Sequence, residues 1–169
     1  MRKQIILGIA LLGMVAFSNS VSANSVVESN MFQTSLYAEN LMGNYDGSLT
    51  YVYMNGEKDP VSNITSNVTD NGDGTVNIHI DGFKIGSMPG SITVDAMDIT
   101  VPASGNFNQT CNDAVKLKIG FIPLKYDALV SGSFSGNHLN YTVTVNAEYS
   151  SAPFTAIVTF DGDKVSASF

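Results

Sequence analysis

The sequence predicts an all-β protein, an antiparallel up-and-down barrel of eight strands, on three observations. Beyond residue 43 apolar and polar residues alternate with a period of two. Gly, Asn, Asp and Pro break the alternation at hairpin spacing, and no window there carries ten or more residues of helical periodicity. Parallel strands need helical crossovers, so βαβ architectures and their nucleotide-binding switch points are disfavoured. Closing a meander removes its exposed edges, which favours a barrel over the alternative, a β-sandwich.

The elements follow in order. Leu49, Tyr51 and Tyr53 alternate with Ser48, Thr50 and Val52. Asn55-Gly56 then turns the chain into a strand around Val61 to Thr69. The Asp70-Asn71-Gly72-Asp73-Gly74 run tolerates positive φ and leads into Val76, Ile78 and Ile80, a hairpin signal. At Asp81-Gly82 the apolar parity flips to Phe83 and Ile85, as one inserted residue makes it do, so a bulge or strand break is expected there. Ser87-Met88-Pro89-Gly90 forms the next turn. Ile92, Val94 and Ala96 open a strand whose parity shifts at Met97, Ile99 and Val101 before Pro102 ends it.

A looser stretch runs from Ser104 to Asn112. Val115, Leu117, Ile119 and Phe121 then alternate with Lys116 and Lys118, and Pro123 closes that strand. Three further runs are Leu129 to Phe134, Leu139 to Tyr149 and Phe154 to Phe160, with turns at Asn137-His138 and Asp161-Gly162; Val165, Ala167 and Phe169 read as a last strand. The expected count is eight or nine.

The N-terminal segment reads differently. Arg2 and Lys3 precede an apolar run from Ile5 to Phe17, and Val21-Ser22-Ala23 offers a small-residue cleavage site. This is the pattern of a secretory signal peptide over 1–23, and the run is too short for a membrane span. An N-terminal linker over 24–42 follows, with a short helix at Tyr37 to Met42 ended by Gly43, and the barrel domain occupies 43–169. The expected location is periplasmic or extracellular, with the outer membrane as the alternative.

Removing that segment leaves no arginine and six lysines against 15 acids, a net charge of about −9. Phosphate backbones and anionic surfaces are bound through Lys and Arg, so nucleic acid is not an expected partner. Cys111 is the one cysteine, so no intramolecular disulfide forms.

Two stretches carry a family resemblance: Gly43-Asn44-Tyr45-Asp46-Gly47-Ser48-Leu49, and Thr69 to Val76 followed by Asp81-Gly82-Phe83. Together they resemble the calycin-like β-barrel family of small exported bacterial proteins, related in shape to lipocalins. True lipocalins open their first strand with Gly-x-Trp; Gly43-Asn44-Tyr45 stands at that place and the chain has no Trp. The resemblance covers Gly43 to Phe169 and implies a closed or nearly closed barrel with an apolar cavity. It brings no established activity.

Residues for chemistry are few. His79 falls on the polar face of its strand and His138 in a turn, neither with a His or Cys neighbour, and Cys111 reads as a free thiol in a loop. The Asp70 to Asp73 turn lacks the alternating ligands and bidentate Glu of a calcium loop. The Asn-x-Thr tripeptides at Asn63, Asn67, Asn108 and Asn140 arise easily in so Asn- and Thr-rich a chain. No catalytic residue, metal site or cofactor is therefore assigned, and the protein is not expected to be an enzyme.

A binding cavity would be lined by large residues of the alternating faces: Tyr51, Tyr53, Val94, Leu117, Phe134, Tyr141, Val143 and Phe154. The functional expectation is an exported lipocalin-like barrel holding a small apolar or amphipathic ligand. The alternatives are an eight-stranded outer-membrane barrel, or a non-catalytic surface module that binds a protein or glycan partner through its loops.

Overall fold

In the computed structural model, which describes residues 37–88, 90–149 and 152–166, the alternation becomes nine strands. They are β1 (Gly43–Met54), β2 (Glu57–Lys58), β3 (Val61–Asp70), β4 (Thr75–Phe83), β5 (Ser91–Thr100), β6 (Asn106–Ile119), β7 (Ile122–Ser135), β8 (His138–Tyr149) and β9 (Ala152–Lys164). Apart from the two-residue β2, each pairs antiparallel with the next, and β1 pairs with β9 from Tyr45↔Lys164 to Met54↔Ala156. That ladder closes an eight-stranded barrel. The expected signal segment at 1–23 lies outside the described residues.

Closure requires β1 and β9 to come close, and glycines make room for it. Gly47 faces Gly162, and a Cβ on Gly47 would lie 2.0 Å from the Asp161 carbonyl oxygen and 2.5 Å from the Gly162 Cα. Bulges supply the remaining curvature. The expected parity flip at Asp81-Gly82 is one, a register shift in β4 between Ile80 and Phe83; the shift at Met97 is another, with Asp98 at φ 55°. Asn63 (φ 58°) and Asp113 (φ 52°) mark two more, in β3 and β6. Asn and Asp suit these positions because they enter the left-handed region more readily than other non-glycine residues.

Several sequence expectations are corrected. β2 was not foreseen; it continues the partner side of β1 until Asp59-Pro60 interrupts the ladder. β6 begins at Asn106, inside the stretch expected to be loose. There Phe107 and Cys111 face inward, and the Gln109 amide bonds to both the Thr100 N–H and the Asp98 carbonyl where β5 and β6 have no backbone ladder. Cys111 is thus buried in a strand, not placed in a loop. Met97 and Asp98 are both exposed in their bulge, and Phe121 is the fully exposed tip of the β6–β7 hairpin, not part of the apolar face. β7 starts at Ile122 and takes Pro123 in as the partner of Lys118. β9 continues through Asp161-Gly162, which is paired strand on both sides. Val165 and Ser166 lie beyond it without strand structure, and the rest of the expected final strand lies outside the described residues.

The interior is apolar and its two ends differ. One end has a floor. The short helix at 37–41 sets Ala38 and Leu41 into the core, so the barrel unit takes in part of the expected linker. The Tyr45 hydroxyl donates to the Leu41 carbonyl at 2.8 Å, and its ring meets Phe134 edge-on at 5.9 Å, with Phe107 5.6 Å beyond. Burial, reinforced by the nearby Tyr37, pushes the Tyr45 phenol up to about 12. Tyr45 therefore plugs the floor end of the barrel, between the short helix and Phe134. The Lys164 ammonium donates to the Asn40 carbonyl at 2.8 Å, capping the helix C-terminus.

Midway up, Tyr141 and Ser66 hydrogen-bond at 3.0 Å across the lumen, and apart from the tyrosine hydroxyls and Cys111, Ser66 is the one buried polar side chain among the described residues. Each is the other's means of satisfying a buried polar group, and burial raises the Tyr141 phenol well above its ordinary range. We expect Tyr141→Phe to lower the unfolding free energy by about 1–3 kcal/mol, because it orphans the Ser66 hydroxyl. Adding Ser66→Ala should restore part of that loss. Urea denaturation of the two single variants and the double variant checks this; strictly additive losses would contradict it.

The barrel mouth as candidate functional site

An up-and-down meander sends alternate turns to the same end. The turns after β1, β4, β6 and β8 meet opposite the floor, and the apolar residues beside them form the mouth. Met54, Met88, Leu117, Ile119, Tyr126 and Phe154 enclose a cavity of about 190 Å³ that opens to solvent. Tyr126 and Phe154 pack with ring centroids 6.4 Å apart. Two small voids, of about 20 and 30 Å³, continue inward past Ile92, Val115, Val145 and Val94. The outer lip widens into a vestibule of about 390 Å³, where Asn55, Lys58, Ser87 and Gly86 join Met54, Met88 and Phe154.

Backbone contacts hold this rim. Asn55, at φ 47°, donates its N–H to the Thr155 carbonyl at 3.1 Å and accepts from the Thr155 N–H through its side chain at 2.9 Å. The β1 turn is thereby fastened to β9 beside Phe154.

The sequence-selected residues distribute over three places. Leu117 and Phe154 line the mouth, while Val94 and Val143 line the deeper void. Phe134 and Tyr141 are buried in the core, Phe134 against the floor, and line none of these spaces. Tyr51 and Tyr53 are corrected: both face outward, Tyr51 at 41% exposure. The cause is a register shift between Leu49 and Tyr51 in the β1–β9 ladder, which makes Thr50 an extra residue and turns Val52 and Met54 inward instead. Met54, Met88, Ile119 and Tyr126 were missed. The usable signal was topological, since three of the four sit next to a turn at the mouth end.

Both histidines lie on the outer face, paired more closely than a solvated imidazole would be. The two His79 ring nitrogens face Asp95 and Asp81, and Asp95 also accepts from the Lys116 ammonium. His138 sits 2.9 Å from Asp163 and 3.3 Å from Asp161. Burial pulls the His79 imidazole down, but the hydrogen bonds and charges of Asp81 and Asp95 outweigh it and raise it above 6.5. The Asp163 hydrogen bond, with the Asp161 charge behind it, raises His138 above the same value against slight burial. Burial raises Asp95, yet Lys116 and His79 together carry it below 3.8.

Neither histidine lines a described cavity. Among the described residues no group of three or more His, Cys, Asp and Glu side chains is placed to hold a metal. Cys111 has its thiol pushed up, chiefly by burial and then by the Asp98 charge, which keeps it protonated and poorly nucleophilic at neutral pH. In the Asp70 to Gly74 turn, the Asp70 carboxylate accepts from the Gly72 N–H at 2.9 Å, and Asp73 accepts from the Thr75 N–H and hydroxyl. Those turn bonds hold Asp73 below its usual value.

The match to known families can be set against this geometry. The model of the calycin-like beta-barrel domain matches residues 41–163, well over half of the chain. The chain belongs to the calycin-like β-barrel family. The match begins at Leu41, the helix residue that receives the Tyr45 hydrogen bond, and ends at Asp163, near the end of the closing strand. Comparisons with curated proteins and with solved structures give no significant match.

The histidine pairs set a pH dependence. A raised folded pKa means stability that is complete below the unfolded value of about 6.5 and lost as pH rises through the folded values; the lowered Asp95 means stability lost as pH falls below about 3.8. We expect resistance to urea to be greatest between roughly pH 4 and 6.5 and to decline toward pH 8. In the double variant His79→Gln, His138→Gln the decline above pH 6.5 should flatten. Denaturation midpoints at pH 5.5 and 8 check it, and an unchanged decline in the variant would contradict the assignment.

Proposed function

We propose that this calycin-like barrel is an exported, non-enzymatic binding protein that holds a small apolar or amphipathic molecule in its mouth. The observation that carries the reading is the apolar cavity of about 190 Å³, open to solvent at one end and backed by a sealed floor at the other. Exposed apolar concavities with few polar groups are the usual form of small-molecule sites. The cavity has room for roughly half a dozen groups of water or methylene size, taking about 30 Å³ for each. The expectation of export rests on the sequence pattern over 1–23.

A water-exposed barrel is favoured over an outer-membrane barrel by the outer faces of the strands. β4 turns Thr75, Asn77, His79 and Asp81 outward, and β8 turns Asn140, Thr142, Thr144, Asn146 and Glu148 outward. A lipid-facing band would need apolar side chains at these positions.

The test is titration with the uncharged fluorescent probe N-phenyl-1-naphthylamine. We expect a saturable rise in emission with the wild type. Phe154→Lys should abolish it by placing a charge inside the mouth, whereas Tyr51→Lys, on the outer face, should leave it intact. Emission that never saturates, or equal loss in both variants, would overturn the reading.

A further inference from the structure

The mouth has a polar side as well as an apolar one, and the two are arranged in sequence along the entry path. Its outer vestibule shares Met54, Met88 and Phe154 with the inner cavity but adds Asn55, Lys58 and Ser87. Among the described residues, Lys58 is the one charged side chain lining the mouth, the vestibule or the voids beneath them. Its direction follows from register. Val52, only 1% exposed and turned inward, is the cross-strand partner of Lys58, and directly paired residues project to the same face of a sheet. The neighbouring acid Glu57 pairs with Tyr53 and so shares the outer face.

The other lysines are engaged or differently placed. Lys116 bonds to Asp95, Lys125 to Asp113 and Lys164 to the Asn40 carbonyl. Lys84 and Lys118 are exposed and line none of these spaces. Among the described residues Lys58 enters no ion pair. A lysine brings three N–H donors and no acceptor, so the vestibule offers a cation and a hydroxyl immediately above a greasy pocket.

We propose that the mouth selects single-tailed amphiphiles with a monoanionic head, an alkyl carboxylate being the simplest, the head resting by Lys58 and Ser87 and the tail descending between Met54, Met88 and Phe154 toward Leu117 and Ile119. This rests on the binding reading above and adds the sign of the head and the orientation of the molecule. One ammonium matches one negative charge, and the chain's net charge of −7 disfavours a second. The voids of about 20 and 30 Å³ below the cavity each leave room for about one methylene group at the end of a chain.

Displacement of N-phenyl-1-naphthylamine by decanoate, 1-decanol and decyltrimethylammonium, each below its aggregation threshold, isolates the head while holding the tail constant. Decanoate should displace at the lowest concentration and lose that advantage at high salt. An exposed ion pair of this kind corresponds to about fivefold in affinity. Lys58→Gln should therefore weaken decanoate about fivefold and leave 1-decanol unchanged, and Lys58→Glu should reverse the order in favour of decyltrimethylammonium. Lys84→Gln, at the same end but outside the vestibule, should change none of the three. Probe fluorescence in each variant confirms that the barrel is folded. If all three amphiphiles displace alike and Lys58→Gln has no effect, the head-group proposal is overturned while the binding reading stands. If the probe itself never binds, both fall.

Discussion

The ladder between β1 and β9 turns a string of hairpins into a vessel, and the lumen, the floor and the mouth all exist only because it closes. An open sheet with these sequences would expose Leu49, Val52 and Phe160 along a free edge. Closure places each of them on an enclosed face. It is possible because Gly47 and Gly162 let two backbones approach where any Cβ would collide, and because bulges in five strands (β1, β3, β4, β5 and β6) bend the sheet enough to meet itself.

Once closed, the barrel is asymmetric along its axis, and the asymmetry assigns the roles of its ends. At the floor the chain's own helix, Tyr45, Phe107 and Phe134 fill the lumen. In the middle Tyr141 and Ser66 satisfy one another, so the deepest polar groups have no need of a guest. Toward the mouth the inward residues become Met, Leu, Ile and aromatic side chains, and a cavity of about 190 Å³ remains among them. Methionine suits such a place, because its flexible thioether adapts to varied shapes. The paired histidines His79 and His138 are on the outer wall, the shifted Tyr45, Tyr141 and Cys111 are buried in the core, and among the described residues the one charged side chain lining the mouth and its vestibule is Lys58.

The fold was legible in the sequence because each strand keeps one apolar face, and a bulge announces itself as a flip in that face, as at Asp81-Gly82 and Met97. Where both faces carry apolar residues the flip is invisible. In Leu49-Thr50-Tyr51-Val52-Tyr53-Met54 either parity looks buried, and only the pairing with β9 shows that Val52 and Met54 point inward and the tyrosines do not. The first half of β6 was hidden for the opposite reason: Asn106, Asn108 and Thr110 face water, Gln109 serves the β5 bulge, and too few apolar residues remain to set a period. The candidate site was legible only in part, since Leu117 and Phe154 stand out by size, whereas Met88 belongs to a loop and the inward aim of Lys58 depends on its register with Val52.

The central claim is the proposal that, among the described surfaces of this barrel, it is the mouth that receives an apolar molecule. Methyl-resolved NMR during titration with N-phenyl-1-naphthylamine tests it most directly, because the Met, Ile, Leu and Val methyls report separately from mouth, core and floor. The account predicts saturable shifts at Met54, Met88, Leu117 and Ile119, with Val76, Leu139 and Leu41 unmoved. Shifts concentrated at the floor or on outward-facing residues such as Met97 and Leu129 would contradict it.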